Sequence, residues 1–389
     1  MGDLFKHQMF MQLGVNSSPT ARTGTPAASL WIPVFEDGVA MAGSVETSDI
    51  NTEHKDRGTK YRIFARRNQE GGQIRTPIYP ENAALLLGAA VNENNGLPSY
   101  HTIEQYWGGG ILTSGSGTGR KLAGCLFSGF SLSVDRGSPG PVELQLDGFL
   151  NADTEITSAA PTPTWPTKTP YDTRNVFVDI DINEGGFSGD NAQVKSCSLT
   201  FNQGVEVDAF LPNSTAALNG TWTKAYPGMP EVTCEFTLVM SDSAYADLLR
   251  ANTLRTVQLR IMGYSPEGAN TTTVDAETAG SAVVVAVASA AGLAADDYVL
   301  LWDSTGKQAV AKISSIAVNN LTLDVLDVGI AAGAQVYNTA WEIKVPELEI
   351  ISVSAPTISG SVRVVNVSAR AKLEAGQTSL LTLKAYNDA

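Results

Sequence analysis

The chain has 389 residues, enough at ~150 residues per domain for two or three domains that each bury a core without disulfide or metal staples. Charged residues make up 17% of it, against the ~25% usual in globular proteins, while Gly (36) and Pro (18) are frequent; strands joined by tight turns fit this balance better than long surface helices. With 26 basic and 40 acidic side chains the net charge is -14, which repels nucleic acid and anionic membranes at long range and argues against tight DNA binding.

At the start of the chain, Met1 to Gln12 lacks a basic flank followed by a long apolar run, so no signal peptide is expected. The only basic clusters, Arg62, Arg66 and Arg67, then Arg120 and Lys121, are short and read as solvated strand ends. Gln73 to Tyr79 reads as a short strand ending at Pro80. A helix follows over Glu81 to Val91, with proline suited to its first turn and Leu85, Leu86, Ala89 and Ala90 as its apolar face. A strand near Tyr100 to Trp107 leads to a glycine-rich loop, and two long strands, Ala123 to Asp135 and Val142 to Leu150, close this half.

Between Glu155 and Asn175 stand Pro161, Pro163, Pro166 and Pro170. Proline fixes φ and removes a donor, so the segment is expected to be an extended, semi-rigid connector. Beyond it, Val232 to Met240 alternates with period two, and a helix is expected at Ser241 to Asn252, with Ser241 or Asp242 as its cap. Strands follow at Thr256 to Met262, Trp341 to Val353, Val362 to Leu373 and Leu380 to Tyr386. Strand, helix, strand and long antiparallel strands therefore occur twice, the pattern of an internal duplication.

The second copy is interrupted. From Tyr264 to Ala340 the composition turns to Ala, Val, Thr, Ser and Asp, with short strands at Tyr298 to Trp302, Ala309 to Ile316 and Leu321 to Leu326. Asp303-Ser304-Thr305-Gly306 and Asn319-Asn320 mark turns. A small β domain inserted in an exposed loop fits this stretch. Ala279 to Ala295 is apolar but short and ends at Asp296 and Asp297, so it is not read as a membrane span. The expected division is a first domain over 1–154, a connector over 155–175, a second domain over 176–265 and 341–389, and an insert over 266–340. The fold class is mainly β: two tandem antiparallel β-sandwich or barrel domains, each with one short helix, plus the inserted small β domain.

No catalytic constellation emerges. His7, His54 and His101 have no Cys or Asp at ligand spacing, and HExxH, CxxC and GxSxG are missing. Cys125, Cys197 and Cys234 are odd in number, well separated, and set in alternating runs, so buried free thiols are expected. Gly115 to Lys121 has the look of a phosphate loop, but Arg120 precedes Lys121 and Leu122 stands where Ser or Thr is needed. Asp179 to Gly185 imitates the start of a calcium loop, yet its glycine is one place late and Asp190 occupies the bidentate Glu position; a strand is the plainer account. The six tryptophans, Trp31, Trp107, Trp165, Trp222, Trp302 and Trp341, are scattered and read as packing residues rather than a sugar platform. No enzyme activity, cofactor or metal is expected.

A duplicated sheet with a polar face is useful as a surface, and repeated head-to-tail sheet units build rings. The chain resembles the tail tube proteins of long-tailed phages, in the branch with two tube domains per chain. The likeness is carried by the strand-helix-strand pattern over Gln73 to Trp107 and by "GFSLSVDRG" and "VELQLDGFL" within Ala123 to Leu150. The stretch "PYDTRNVFVDIDI…VKSCSLTFNQGVEVDAFLPNST" adds to it, so that the resemblance covers most of residues 25–265 and 341–389 but not the insert. It implies a homotrimeric ring of six tube domains, stacked into a hollow tube that carries DNA without specific binding. It also implies contacts with tape measure, baseplate and terminator proteins, assembly in the host cytoplasm, and no membrane partner. Glu36 to Gly58 and Gln203 to Trp222 are the candidate loops bridging successive rings. An acidic lining would keep DNA mobile, and the candidate lumen-facing residues are Glu143, Gln145, Asp147, Glu231, Thr233 and Glu235. The insert should decorate the outside. The alternatives are a cell-surface adhesin or carbohydrate-binding β-domain protein, the tube of a contractile injection system, and a hydrolase on a β scaffold.

Overall fold

The structure, a computed structural model, describes residues 10–15, 30–33, 39–41, 44–50, 61–68, 72–91, 93–94, 97–107, 118–149, 153–156, 166–181, 194–208, 224–239, 256–359, 362–373 and 379–385. It is mainly β, with a six-residue helix, Ala83–Gly88, whose Leu86 and Leu87 are fully buried. The expected helix at Ser241 to Asn252, the glycine-rich loop after Trp107, and His7, His54, Trp165 and Trp222 lie outside the described residues.

Ten strands form one continuous antiparallel path. From one end it runs Val176–Asp181, Thr256–Gly263, Trp341–Val353, Val362–Ala371, Glu231–Val239, Val194–Asn202, Thr118–Asp135, Glu143–Phe149, Gly72–Pro77 and Val39–Met41. Alternation decides the faces. In Glu143–Phe149 the odd positions are half-buried and Leu144 and Leu146 are fully buried. In Glu231–Val239 the same rule buries Val232, Cys234, Phe236 and Leu238. The inward residues of nearly all these strands meet in one core, with Phe130, Leu199, Leu259, Ile343 and Val367 among them.

Two long strands turn the sheet back over that core. Thr118–Asp135 pairs along Thr118–Leu126 with Tyr100–Trp107 and along Gly129–Asp135 with Val194–Asn202. The register slips between Leu122 and Cys125, where Gly124 has φ +70, a conformation that a side chain would strain. Trp341–Val353 slips where it faces Val257 and Leu259, beside Pro346, which has no donor to give the ladder. Bulges bend strands, so each long strand passes from a front sheet to a back sheet at this point.

The ladder is duplicated. Gly72–Pro77 pairs with Glu143–Phe149 as Glu231–Val239 pairs with Val362–Ala371. Tyr100–Trp107 pairs with the first part of Thr118–Asp135 as Thr256–Gly263 pairs with the first part of Trp341–Val353. Phe10–Val15 flanks Tyr100–Trp107 as Val176–Asp181 flanks Thr256–Gly263. Val39–Met41 flanks Gly72–Pro77 as Val194–Asn202 flanks Glu231–Val239. Asp153–Ile156 and Thr382–Ala385 cover the two long strands at matching places. A hairpin precedes Gly72–Pro77 in the first copy and Glu231–Val239 in the second, Ser44–Ile50 with Tyr61–Asn68 and Glu206–Asp208 with Lys224–Tyr226.

The stretch between Gly263 and Trp341 forms a separate six-stranded sheet with its own core of Val285, Val299, Leu301, Ile313, Leu323 and Val336. Its strands run in the order Thr271–Thr272, Gln335–Tyr337, Tyr298–Trp302, Gln308–Ala317, Asn320–Leu326 and Gly280–Ala286. A bridge between Thr273 and Val287 joins the two ends, so the sheet closes and loses its edges. The turn expected at Asn319-Asn320 falls one residue earlier, at Val318 and Asn319, with Val318 at φ +58. The turn at Asp303 is tied by its carboxylate, which accepts from the backbone N–H groups of Thr305 (2.8 Å) and Lys307 (3.0 Å).

Of the proline-rich connector, 166–175 are described. Tyr171 is fully buried, and its hydroxyl donates to the Thr339 carbonyl. The three cysteines are buried, and burial pushes the Cys197 thiol up to about 12, an inert group at neutral pH.

His101 is buried 5.1 Å from the Phe127 ring, with its Nε2 3.2 Å from the Ala89 carbonyl. Burial pulls its pKa from 6.5 to about 4, against a smaller opposing effect of the Ala89 contact. The unfolded chain takes up this proton below about 6.5 and the folded chain only near 4. Stability is therefore complete above about 6.5 and falls as the pH drops toward 4, by about 2 kcal/mol from this group at pH 5. Urea titrations at pH 7 and pH 5 on the wild type and His101→Gln should show a smaller pH dependence in the variant.

Candidate assembly and channel surface

The front sheet carries the candidate residues in three rows across its strands. One row runs Arg75, Gln145, Ser131, Thr200, Thr233 and Arg370. The next runs Pro77, Glu143, Ser133, Ser198, Glu235 and Ser368. The third runs Gln73, Asp147, Gly129, Asn202 and Glu231. Glu143, Gln145, Asp147, Glu231, Thr233 and Glu235 thus lie on one face of one sheet, opposite the core. Close approach is needed within it: a Cβ on Gly129 would sit 2.4 Å from the Phe201 carbonyl oxygen of the adjoining strand.

This face is polar, with hydroxyls on its central strands and carboxylates on the flanking ones. Arg75 meets Glu143 in two parallel contacts of 2.5 and 2.9 Å, and Arg370 Nε lies 3.0 Å from Glu231. Gln145 donates to Asp147 at 3.1 Å. The two arginines were not legible as lining residues, because partners across strands show no fixed sequence spacing.

The insert stands on the other side of the sandwich. Val257, Leu259 and Ile261 point into the core, whereas Met262 of the same strand points outward and packs with Leu300, Val310, Tyr337 and Ala340. Phe177 stacks on Tyr264 at 5.1 Å and meets the Trp302 edge at 4.9 Å. An ionic cluster reinforces the contact. Arg260, 2% exposed, lies 2.9 Å from Asp179 and 3.7 Å from Glu342. Lys384 reaches Glu342 at 3.1 Å, Asp327 at 3.3 Å and the Val310 carbonyl at 3.0 Å. Burial alone would lower the Lys384 pKa, but Glu342 and Asp327 hold it above its ordinary value. A cavity of about 320 Å³ opens beside this junction, lined by Phe177, Asp179, Cys197, Trp302 and Gln308 among others.

The front sheet has two open edges among the described residues. Val39–Met41 ends the strand path. At the other end of the front sheet, Trp341–Val353 pairs with Thr256–Gly263 only as far as Glu349; beyond it, the ladder continues on one side, with Val362–Ala371. Thr357–Ser359 likewise pairs with Val362–Val364 alone. Ile351 and Ile358 on this edge are 63% and 76% exposed, unusual for large apolar residues on a solvated strand.

Among the described residues no group of His, Cys, Asp and Glu is placed to hold a metal ion, and no helix is long and apolar enough to cross a membrane. The calcium-like stretch is a strand as far as Asp181, with 182–193 outside the described residues; of the phosphate-loop look-alike, 118–121 are strand.

The family model described as phage tail tube protein matches residues 10–321. The match spans both copies of the front-sheet unit as far as Thr256–Gly263 and extends into the insert, ending before Trp341. No curated protein matches the chain. With a sheet-built scaffold, a polar outer face and open edges in hand, this match over most of its length places the chain in the phage tail tube protein family, as a structural component of the virion tail.

Proposed function

We propose that three copies close into a ring of six tube units, that the rings stack into a tube, and that DNA passes through the channel. The observation that carries this reading is the duplicated ladder. Inside the chain, the second unit's Val194–Asn202 pairs with Gly129–Asp135 of the first unit. By the same relation, Val39–Met41 of one copy would pair with the open edge beyond Glu349 of the next, and head-to-tail repetition closes a ring. The number three follows the likeness to two-domain tube proteins.

The polar face then lines the channel, with Glu143, Gln145, Asp147, Glu231, Thr233 and Glu235 on its wall. A surface on which carboxylates and hydroxyls predominate, and whose Arg75 and Arg370 face glutamates, offers phosphates little with which to release counterions, so DNA slides. The insert, on the opposite side of the sandwich, decorates the outer wall. The two hairpins, Ser44–Ile50 with Tyr61–Asn68 and Glu206–Asp208 with Lys224–Tyr226, occupy equivalent places in the two units and reach toward the adjacent ring. The tube grows in the host cytoplasm and its ends meet tape measure, baseplate and terminator proteins. Negative-stain microscopy of purified protein tests the reading: hollow tubes or stacked rings are expected, and a dispersed monomer that binds glycans would overturn it in favour of an adhesin.

A further inference from the structure

We infer that Glu143 and Glu231 serve as fixed counterions that keep Arg75 and Arg370 from gripping DNA, an inference that rests on the channel reading above. The two arginines stand in one row of the polar face, at opposite ends of six adjacent strands. Each is a planar donor well suited to a phosphate. Each instead faces a glutamate placed diagonally on the paired strand: Arg75 with Glu143, at 2.5 and 2.9 Å, and Arg370 with Glu231, at 3.0 Å.

The two pairs lie on equivalent strand pairs of the duplicated ladder, with the charges exchanged. In the first unit the arginine is on Gly72–Pro77 and the glutamate on Glu143–Phe149. In the second the glutamate is on Glu231–Val239 and the arginine on Val362–Ala371. Two units with different side chains thus arrive at the same neutralised pair. All four side chains are part-exposed, between 35% and 58%, so the pairs add little to stability. Their effect is on what a passing polyanion meets: an arginine whose charge is already balanced by a neighbouring carboxylate releases fewer counterions from phosphate.

The test compares substitutions that change net charge equally. Wild type, Glu143→Gln, Glu231→Gln and Glu235→Gln are each applied, as dispersed protein and as tubes, to a fluorescent duplex oligonucleotide over a range of salt. Glu235 lies on the same face and, like Glu231, diagonal to Arg370, but the ion pair of Arg370 is with Glu231, so replacing Glu235 removes a charge and leaves both arginine–glutamate pairs in place. Glu143→Gln and Glu231→Gln should bind DNA with a log–log salt slope steeper by about one per uncovered arginine, and Glu235→Gln should match wild type. The double variants Arg75→Gln/Glu143→Gln and Glu231→Gln/Arg370→Gln should return to wild-type behaviour. Equal gains in all three single variants would show that net charge alone matters and overturn the inference; so would no gain in Glu143→Gln and Glu231→Gln. Failure of the wild type to form tubes would instead count against the channel reading, while the dispersed-protein arm still decides whether these glutamates mask the arginines.

Discussion

Replacing Trp341 by alanine should cost about 3–5 kcal/mol of stability, the largest loss expected from any single truncation among the described residues. The indole is fully buried where three segments meet. It opens the long strand Trp341–Val353 at the point where the chain returns from the insert. Its ring lies against the backbone of Gly263, where an added Cβ would stand 2.1 Å from the indole nitrogen. It also meets Tyr171 edge-on at 6.0 Å, and Tyr171 anchors the end of the proline-rich connector through the Thr339 carbonyl. Truncation would leave a cavity among the connector, the back sheet and the root of the insert, with few mobile side chains to fill it. A urea-unfolding series should therefore show a much lower midpoint for Trp341→Ala than for Trp341→Phe. A loss under 1 kcal/mol would mean that this junction is not a keystone of packing.

Charging the open edge should leave the fold intact and abolish assembly. Ile351 and Ile358 are largely exposed on the edge beyond Glu349, so lysines there disturb no core contact, and surface substitutions of this kind shift stability by about 0.5 kcal/mol or less. Natural sheets use lysine to keep edges from pairing. In a closed ring the same two lysines would appear at every seam between copies. The variant Ile351→Lys/Ile358→Lys is expected to run as a folded, dispersed species under conditions where wild type forms tubes. Sedimentation together with thermal unfolding checks both halves of this expectation. Tubes of normal length from the double variant would place the seam elsewhere.

Much of this architecture was legible because alternation survives wherever one face of a strand is buried. Val232, Cys234, Phe236 and Leu238 mark their strand without ambiguity, and Trp341–Val353 was bounded by its own pattern. Strands without that pattern were missed. Gly280–Ala286 is small and apolar on both faces, with three consecutive valines of which Val285 alone is fully buried, so periodicity does not separate it from a loop. Thr118–Asp135 begins five residues before the expected start, because Thr118 to Lys121 draw their pairing from Tyr100–Trp107 and Asp153–Ile156, partners distant from any local window.

The site was legible in part. The six polar-face residues follow from the alternation of two strands. That the two strands belong to one sheet follows from the seam between Gly129–Asp135 and Ser196–Asn202, which no local signal announces. The buried cluster of Arg260, Asp179, Glu342 and Lys384 was also invisible, since its members come from four strands far apart in the chain. The open edge did leave a trace: Ile350 and Ile351 are adjacent apolar residues in an alternating strand, where the register slips before Ser352.

A residue-level helical reconstruction of assembled tubes by electron microscopy bears most directly on the whole account. It should place Glu143, Gln145, Asp147, Glu231, Thr233 and Glu235 on the channel wall, the insert on the outer surface, and Val39–Met41 beside the edge beyond Glu349 of the next copy. A tube with the insert inside, or with those six side chains facing outer solvent, would contradict it.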